Sequence, residues 1–96
     1  MSAANSSPVT PVVDVPQDGS KTGLFVRFEG TGTPGNSVRV YSTKDSLNPL
    51  FSQVVSPLGS WLNHQDFSSL SFYAVEVSPD GKDISPPSPI VNISLT

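Results

Sequence analysis

Proline and glycine punctuate this sequence so densely that no window is left for a long helix. Ten prolines and seven glycines are spread through 96 residues. A proline inside a helix removes a hydrogen bond, and a glycine there adds an entropic penalty. The stretches between them are short and alternate apolar with polar, the period of a strand with one face buried. Leu24–Gly30 reads LFVRFEG, with Leu24, Val26 and Phe28 on one side and Phe25, Arg27 and Glu29 on the other. Ser37–Ser42 reads SVRVYS, with Val38 and Val40 inward and Arg39 and Tyr41 outward. Pro8–Val15, Leu50–Ser56, Ser60–His64, Ser71–Ser78 and Ile90–Thr96 bring the strand candidates to seven. Turn signals separate them at about the eight-to-twelve-residue spacing of a two-sheet antiparallel sandwich. The expected core is Val13, Val26, Phe28, Val38, Val40, Trp61, Tyr73, Val75, Val77, Val91 and Ile93. Residues 1–7 read as a disordered lead-in, 8–96 as one domain, and Gln65–Leu70 as an irregular stretch with a short helical turn.

Several chemistries are excluded by what the chain lacks. It has no cysteine, so disulfides and thiolate chemistry are absent, and its single histidine, His64, cannot assemble a structural zinc site. The net charge is −3 and the five basic residues are scattered, which gives no electrostatic footprint for nucleic acid or anionic lipid. No stretch is long and apolar enough for a membrane helix, and Met1–Ser7 lacks the basic and apolar regions of a signal peptide. An export signal, if used, is therefore expected outside this chain.

The run GTGTPGNSVRVY, Gly30–Tyr41, needs closer reading. Gly30, Gly32 and Gly35 reproduce the literal spacing of a dinucleotide-binding loop. Such a loop must open a helix, whose N-terminus carries the pyrophosphate. Here a period-two strand follows, so the run reads as a corner between two strands. His64 with Asp66 two residues on lacks a nucleophile elbow of the G-x-S-x-G kind and reads as a loop histidine. These readings point to a protein that is not an enzyme and needs no organic cofactor.

The run FEGTGTPGNSVRVYS resembles the bacterial immunoglobulin-like (Big-type) repeats of large adhesins and exported surface proteins. Gly30, Gly32, Pro34, Gly35, Val38, Val40 and Tyr41 carry the match. Gly59-Ser60-Trp61 is similar to the family's G-x-W, and AVEVSPDGKDISPPSPIVNISL to its late A-x-D-x-x-G-N-x-S-x-x-S stretch and closing strand. Lys82 stands where the family has Asn, and SPLG replaces its acidic or amide residue before G-x-W. The resemblance covers about Pro8 to Leu95 and implies an all-β, immunoglobulin-like antiparallel β-sandwich of about seven strands. It also implies a structural or adhesion module at the cell surface or outside the cell, flanked by neighbouring domains of the same chain. Some members hold calcium at strand ends, which makes Asp80 and Asp83 the candidate ligands here; the alternative is a plain Asp-Gly turn.

Three aromatics are placed on outer faces by alternation: Tyr41, Phe25 and Phe72. They are the candidate contacts for a partner domain, a protein or a glycan receptor, set against ordinary cross-strand pairing. Two other roles stay open: a recognition module using the loops Thr43–Leu50 and His64–Leu70, and an accessory domain of a secreted enzyme or toxin. Prolines near both ends are expected to guard the first and last strands against edge pairing.

Overall fold

The computed structural model describes residues 8–67 and 70–95. The expected lead-in at residues 1–7, and the Ser68–Ser69 part of the expected helical turn, lie outside them. The described residues form eight strands and no helix: β1 (Val12–Val15), β2 (Ser20–Thr22), β3 (Phe25–Thr31), β4 (Ser37–Ser42), β5 (Phe51–Val54), β6 (Ser60–Asp66), β7 (Ser71–Val77) and β8 (Val91–Leu95). One sheet has the order β1-β3-β6 and the other β2-β8-β7-β4-β5. Two sheets with this interleaved connectivity make an immunoglobulin-like β-sandwich.

One strand more than the sequence reading expects comes from the segment Pro16–Gly23. The chain leaves β1, crosses from the first sheet to the second at Val15–Pro16, whose peptide bond is cis, and continues in the same direction as β2. Because it does not reverse, β2 pairs parallel with β8, Ser20 opposite Ile93 and Thr22 opposite Leu95; the other strand pairings are antiparallel. Asp18 fixes the junction, its Oδ1 accepting the Asn92 N–H at 2.7 Å.

The core lies between the sheets. Val26 and Phe28 from β3 and Trp61 from β6 meet Val38, Val40, Phe51, Phe72, Ala74, Val91 and Ile93 from the opposite sheet, with Phe67 closing one end. Phe28 is fully buried at the centre of an aromatic cluster, its ring 5.0 Å from Phe72, 5.1 Å from Phe51 and 5.8 Å from Phe67. Trp61 is anchored by donating its indole N–H to the Thr31 carbonyl at 3.1 Å.

In β7 the alternation is opposite to the expected one. Phe72, Ala74 and Glu76 face the core between the sheets, while Tyr73, Val75 and Val77 lie on the opposite face, where Val75 and Val77 are buried as expected and Tyr73 is half-buried. Both faces of this strand carry apolar residues, so its own pattern could not choose between them. Pairing with β4 chooses: Val40 stands beside Ala74 and Val38 beside Glu76. Tyr73 therefore belongs to the surface and Phe72 to the core. Leu24, expected inward, precedes β3 and is exposed.

The last strand is not an edge, because β8 lies between β7 and β2. The prolines ahead of it have another role. Pro86, Pro87 and Pro89 have no N–H to offer a ladder, and Ser85 and Ser88 pair with β7 instead. Each serine donates its N–H to a β7 carbonyl, of Glu76 and Ala74 respectively. Each also accepts the N–H of that same residue on its Oγ, at 2.9 Å in both cases. The serine N–H thus supplies the donor that the prolines lack, and the hydroxyl takes the place of a backbone carbonyl acceptor. Pro11, before the true edge strand β1, is buried.

Candidate functional site

The corner Gly30–Ser37 carries the chain from the first sheet to the second, as its sequence implies. Gly35 adopts φ +88°, a conformation that suits glycine, and the Asn36 N–H donates back to the Thr33 carbonyl at 3.1 Å. Gly30 is needed for close approach: a methyl group there would run into the Val12 carbonyl oxygen and the Trp61 ring. Under this corner lies Glu76, fully buried. Its Oε1 accepts the Asn36 side-chain amide at 2.8 Å, and its Oε2 accepts the Thr33 N–H at 3.3 Å. Both carboxylate oxygens are occupied by donors of the corner, so the site holds the turn rather than a ligand. A glutamate in an alternating strand next to valines gave no sequence signal that it would point inward.

Tyr41 is half-buried on the outer face of the larger sheet, where its ring stacks on Tyr73 at 5.6 Å and 14°. Phe25 is 66% exposed on the outer face of the smaller sheet and stacks on His64 at 5.5 Å and 15°. The third candidate contact, Phe72, is corrected: at 0% exposure it is part of the core cluster and cannot touch a partner. Tyr41 and Phe25 lie on opposite sheets and form no common patch. His64 sits in β6 rather than in a loop, beside Arg27 of β3, which is itself ion-paired to Glu29 at 2.7 Å.

Asp80 is committed to its own turn. Its Oδ1 accepts the Ser78 hydroxyl at 2.6 Å and the Lys82 N–H at 3.0 Å. The Asp83 N–H in turn donates to Ser78 Oγ. No group of three or more His, Cys, Asp or Glu side chains comes together among the described residues. The hydroxyl of Ser78 and the N–H of Lys82 hold the Asp80 carboxyl below its usual value of 3.8. In the loop before β5, Asp45 is lowered likewise by the N–H of Leu47 and by the side chain and N–H of Asn48. A depressed carboxyl stabilises the fold above its unfolded value and loses that contribution as pH falls through the lower folded value. The contribution of these two carboxyls is therefore expected to be fully present above pH 3.8 and to be lost as pH falls below it. Asp45→Asn and Asp80→Asn are each expected to flatten that acid limb in urea titrations between about pH 5 and 2.

An open cleft of about 480 Å³ runs between Thr10–Val13 and Ser88–Val91, where the first strand separates from the larger sheet. It is mostly apolar, and Asp18, already bonded to Asn92, is its charged residue.

The strand registers also fix the two poles. Val12 pairs with Thr31, and the Thr10 hydroxyl donates to the Pro86 carbonyl, so the chain enters beside the corner and the Ser78–Asp83 loop. Thr22 pairs with Leu95, and the Ile93 N–H donates to the Leu70 carbonyl, so the chain leaves at the opposite pole. From Pro89 to Leu95, six residue-to-residue steps of extended chain span about 20 Å, along a molecule whose longest dimension is 49 Å. The loop Thr43–Leu50 belongs to this exit pole, since Ser42 pairs with Phe72 at the start of β7.

No model of a known protein family matches the chain, and no curated protein matches it.

Proposed function

We propose that this domain is a structural and adhesive module, a spacer or repeat in an exported or cell-surface bacterial protein, and that it catalyses nothing. The observation that carries this reading is the position of its ends. The chain enters at one pole and leaves at the other, so copies joined end to end extend along their long axes. Pro8 and Pro11 stiffen the entry, because proline favours extended chain. The resemblance to bacterial immunoglobulin-like repeats, carried by the corner, Trp61 and the Ser85–Ser88 stretch, supports the same role. Each of these stretches has a structural duty here: the corner changes sheets, Trp61 anchors the smaller sheet, and the two serines complete the pairing of β7. Neighbouring domains of the same chain are the partners this role requires. A protein or glycan receptor would meet the loops at a pole, and Tyr41 with Tyr73 offers the flat aromatic surface for such a contact.

Two copies fused Leu95 to Pro8 test the reading. Small-angle scattering is expected to give a maximum dimension near twice the 49 Å of a single domain. A distribution typical of two freely hinged domains, or a folded-back pair, would count against a spacer.

A further inference from the structure

The edge of β6 is unpaired among the described residues, and its geometry specifies a partner. Pairing with β3 uses one side of the strand only. The Phe67 N–H donates to the Leu24 carbonyl at 2.8 Å, which sets the parity of the ladder. In an antiparallel pair, residues that exchange both bonds alternate with residues whose polar groups point away. Gln65, Asn63 and Trp61 therefore bond to Val26, Phe28 and Gly30. The N–H and C=O groups of Ser60, Leu62, His64 and Asp66 point outward from the sheet edge. The bond from the Ser56 N–H to the Ser60 carbonyl is consistent with this parity and closes that end of the edge. Leu62, His64 and Asp66 remain open. Proteins block such edges with proline, charged side chains or a bulge; β6 has no proline and pairs with β3 in unbroken register, and its one acidic residue, Asp66, stands at its end.

We propose that this edge pairs with the same edge of a second copy of this chain, antiparallel, about a two-fold axis through His64. This goes beyond the spacer role and does not depend on it. Only the axis through His64 satisfies every open group: Leu62 meets Asp66 of the second copy, His64 meets His64, and Asp66 meets Leu62. Three mutually bonded pairs supply roughly six backbone hydrogen bonds. On the inner face the two-fold sets Asn63 opposite Gln65 of the second copy. These amides already belong to a ladder, Gln65 donating to Asn63 at 2.9 Å and Asn63 to Gln53 at 3.0 Å, which the second copy extends with the same chemistry. A second copy fits better than a foreign peptide because a peptide needs side-chain pockets beside its strand. Two clefts lie elsewhere, one between Thr10–Val13 and Ser88–Val91 and one beside Tyr73, Pro87, Ser88 and Ile90. The product is a continuous six-stranded sheet, β1-β3-β6 joined to its own symmetry mate, and an isologous contact closes at two copies.

Sedimentation equilibrium and cysteine cross-linking test it, the latter helped by a sequence with no cysteine of its own. A contact of two strands is small, so the wild-type protein is expected to dimerise reversibly with Kd between about 10 µM and 1 mM. His64→Cys is expected to form a disulfide dimer under mild oxidation, because a bonded pair sets Cα atoms about 5.5 Å apart, within disulfide range. Leu62→Cys is expected to cross-link at least tenfold more slowly, since its own mate lies about four residues, or roughly 13 Å, along the strand. Leu62→Glu, opposite Asp66, is expected to weaken dimerisation, and Leu62→Lys to strengthen it. A wild-type monomer up to about 2 mM, equal cross-linking of the two cysteine variants, or growth beyond dimers would each overturn the proposal.

Discussion

Replacing Phe28 by alanine is expected to remove about 4 kcal/mol of folding stability, the largest single effect in the chain. From the smaller sheet its ring touches three others, Phe51 and Phe72 of the larger sheet and Phe67 of the segment that closes one end of the core. Truncation loses the transfer free energy of the ring and leaves a cavity that the three remaining rings, packed against the rest of the core, cannot fully collapse around. A domain of this size has a total stability of only about 5–15 kcal/mol, so the variant is expected to melt roughly 20 °C lower. Phe25, three residues earlier in the same strand but 66% exposed, serves as the control. Phe25→Ala is expected to change stability by less than about 0.5 kcal/mol. Urea unfolding of the two variants checks the pair, and a loss below about 1.5 kcal/mol for Phe28→Ala would show that the two sheets do not share one tightly packed core.

Glu76→Ala is expected to cost about 3 kcal/mol, although it removes a polar group from the interior. The reason is the two donors it leaves behind, the Asn36 amide and the Thr33 N–H. A buried donor without an acceptor costs about 1–3 kcal/mol, and a small cavity adds to that. Glu76→Gln separates acceptor chemistry from shape. Glutamine has one acceptor oxygen, while the corner presents donors to both oxygens of Glu76, so the variant is expected to lose about 1–2 kcal/mol. The Asn36→Ala, Glu76→Ala double-mutant cycle is expected to show a coupling of about 1–2 kcal/mol. Additive losses would mean that Glu76 acts only by filling volume.

The corner was legible because its demands are local. Gly35 and Pro34 specify a bend whatever surrounds them, and Val38 and Val40 show by alternation which face of β4 is buried. Trp61 and Phe28 were legible for the same reason. The strand β7 was not, since Phe72 and Ala74 alternate with Tyr73, Val75 and Val77, and neither set is polar enough to be assigned to solvent. One residue of slip exchanges the two faces of a strand, so a partner contact assigned to Phe72 from its own neighbours became a core residue. The segment Pro16–Gly23 was expected to be a turn, because a three-residue strand that pairs with residues more than seventy positions away leaves no periodic trace.

The sequence by itself determined the all-β class, the corner, the approximate number of strands and most of the core, because turn chemistry and period-two alternation act within a few residues. Only the tertiary structure decided which face of β7 is inside, that β2 runs parallel to β8, that Ser85 and Ser88 complete the pairing of β7, and that the bare edge is β6. Each of these depends on which strand lies beside which, and that is settled by packing between residues far apart in the chain.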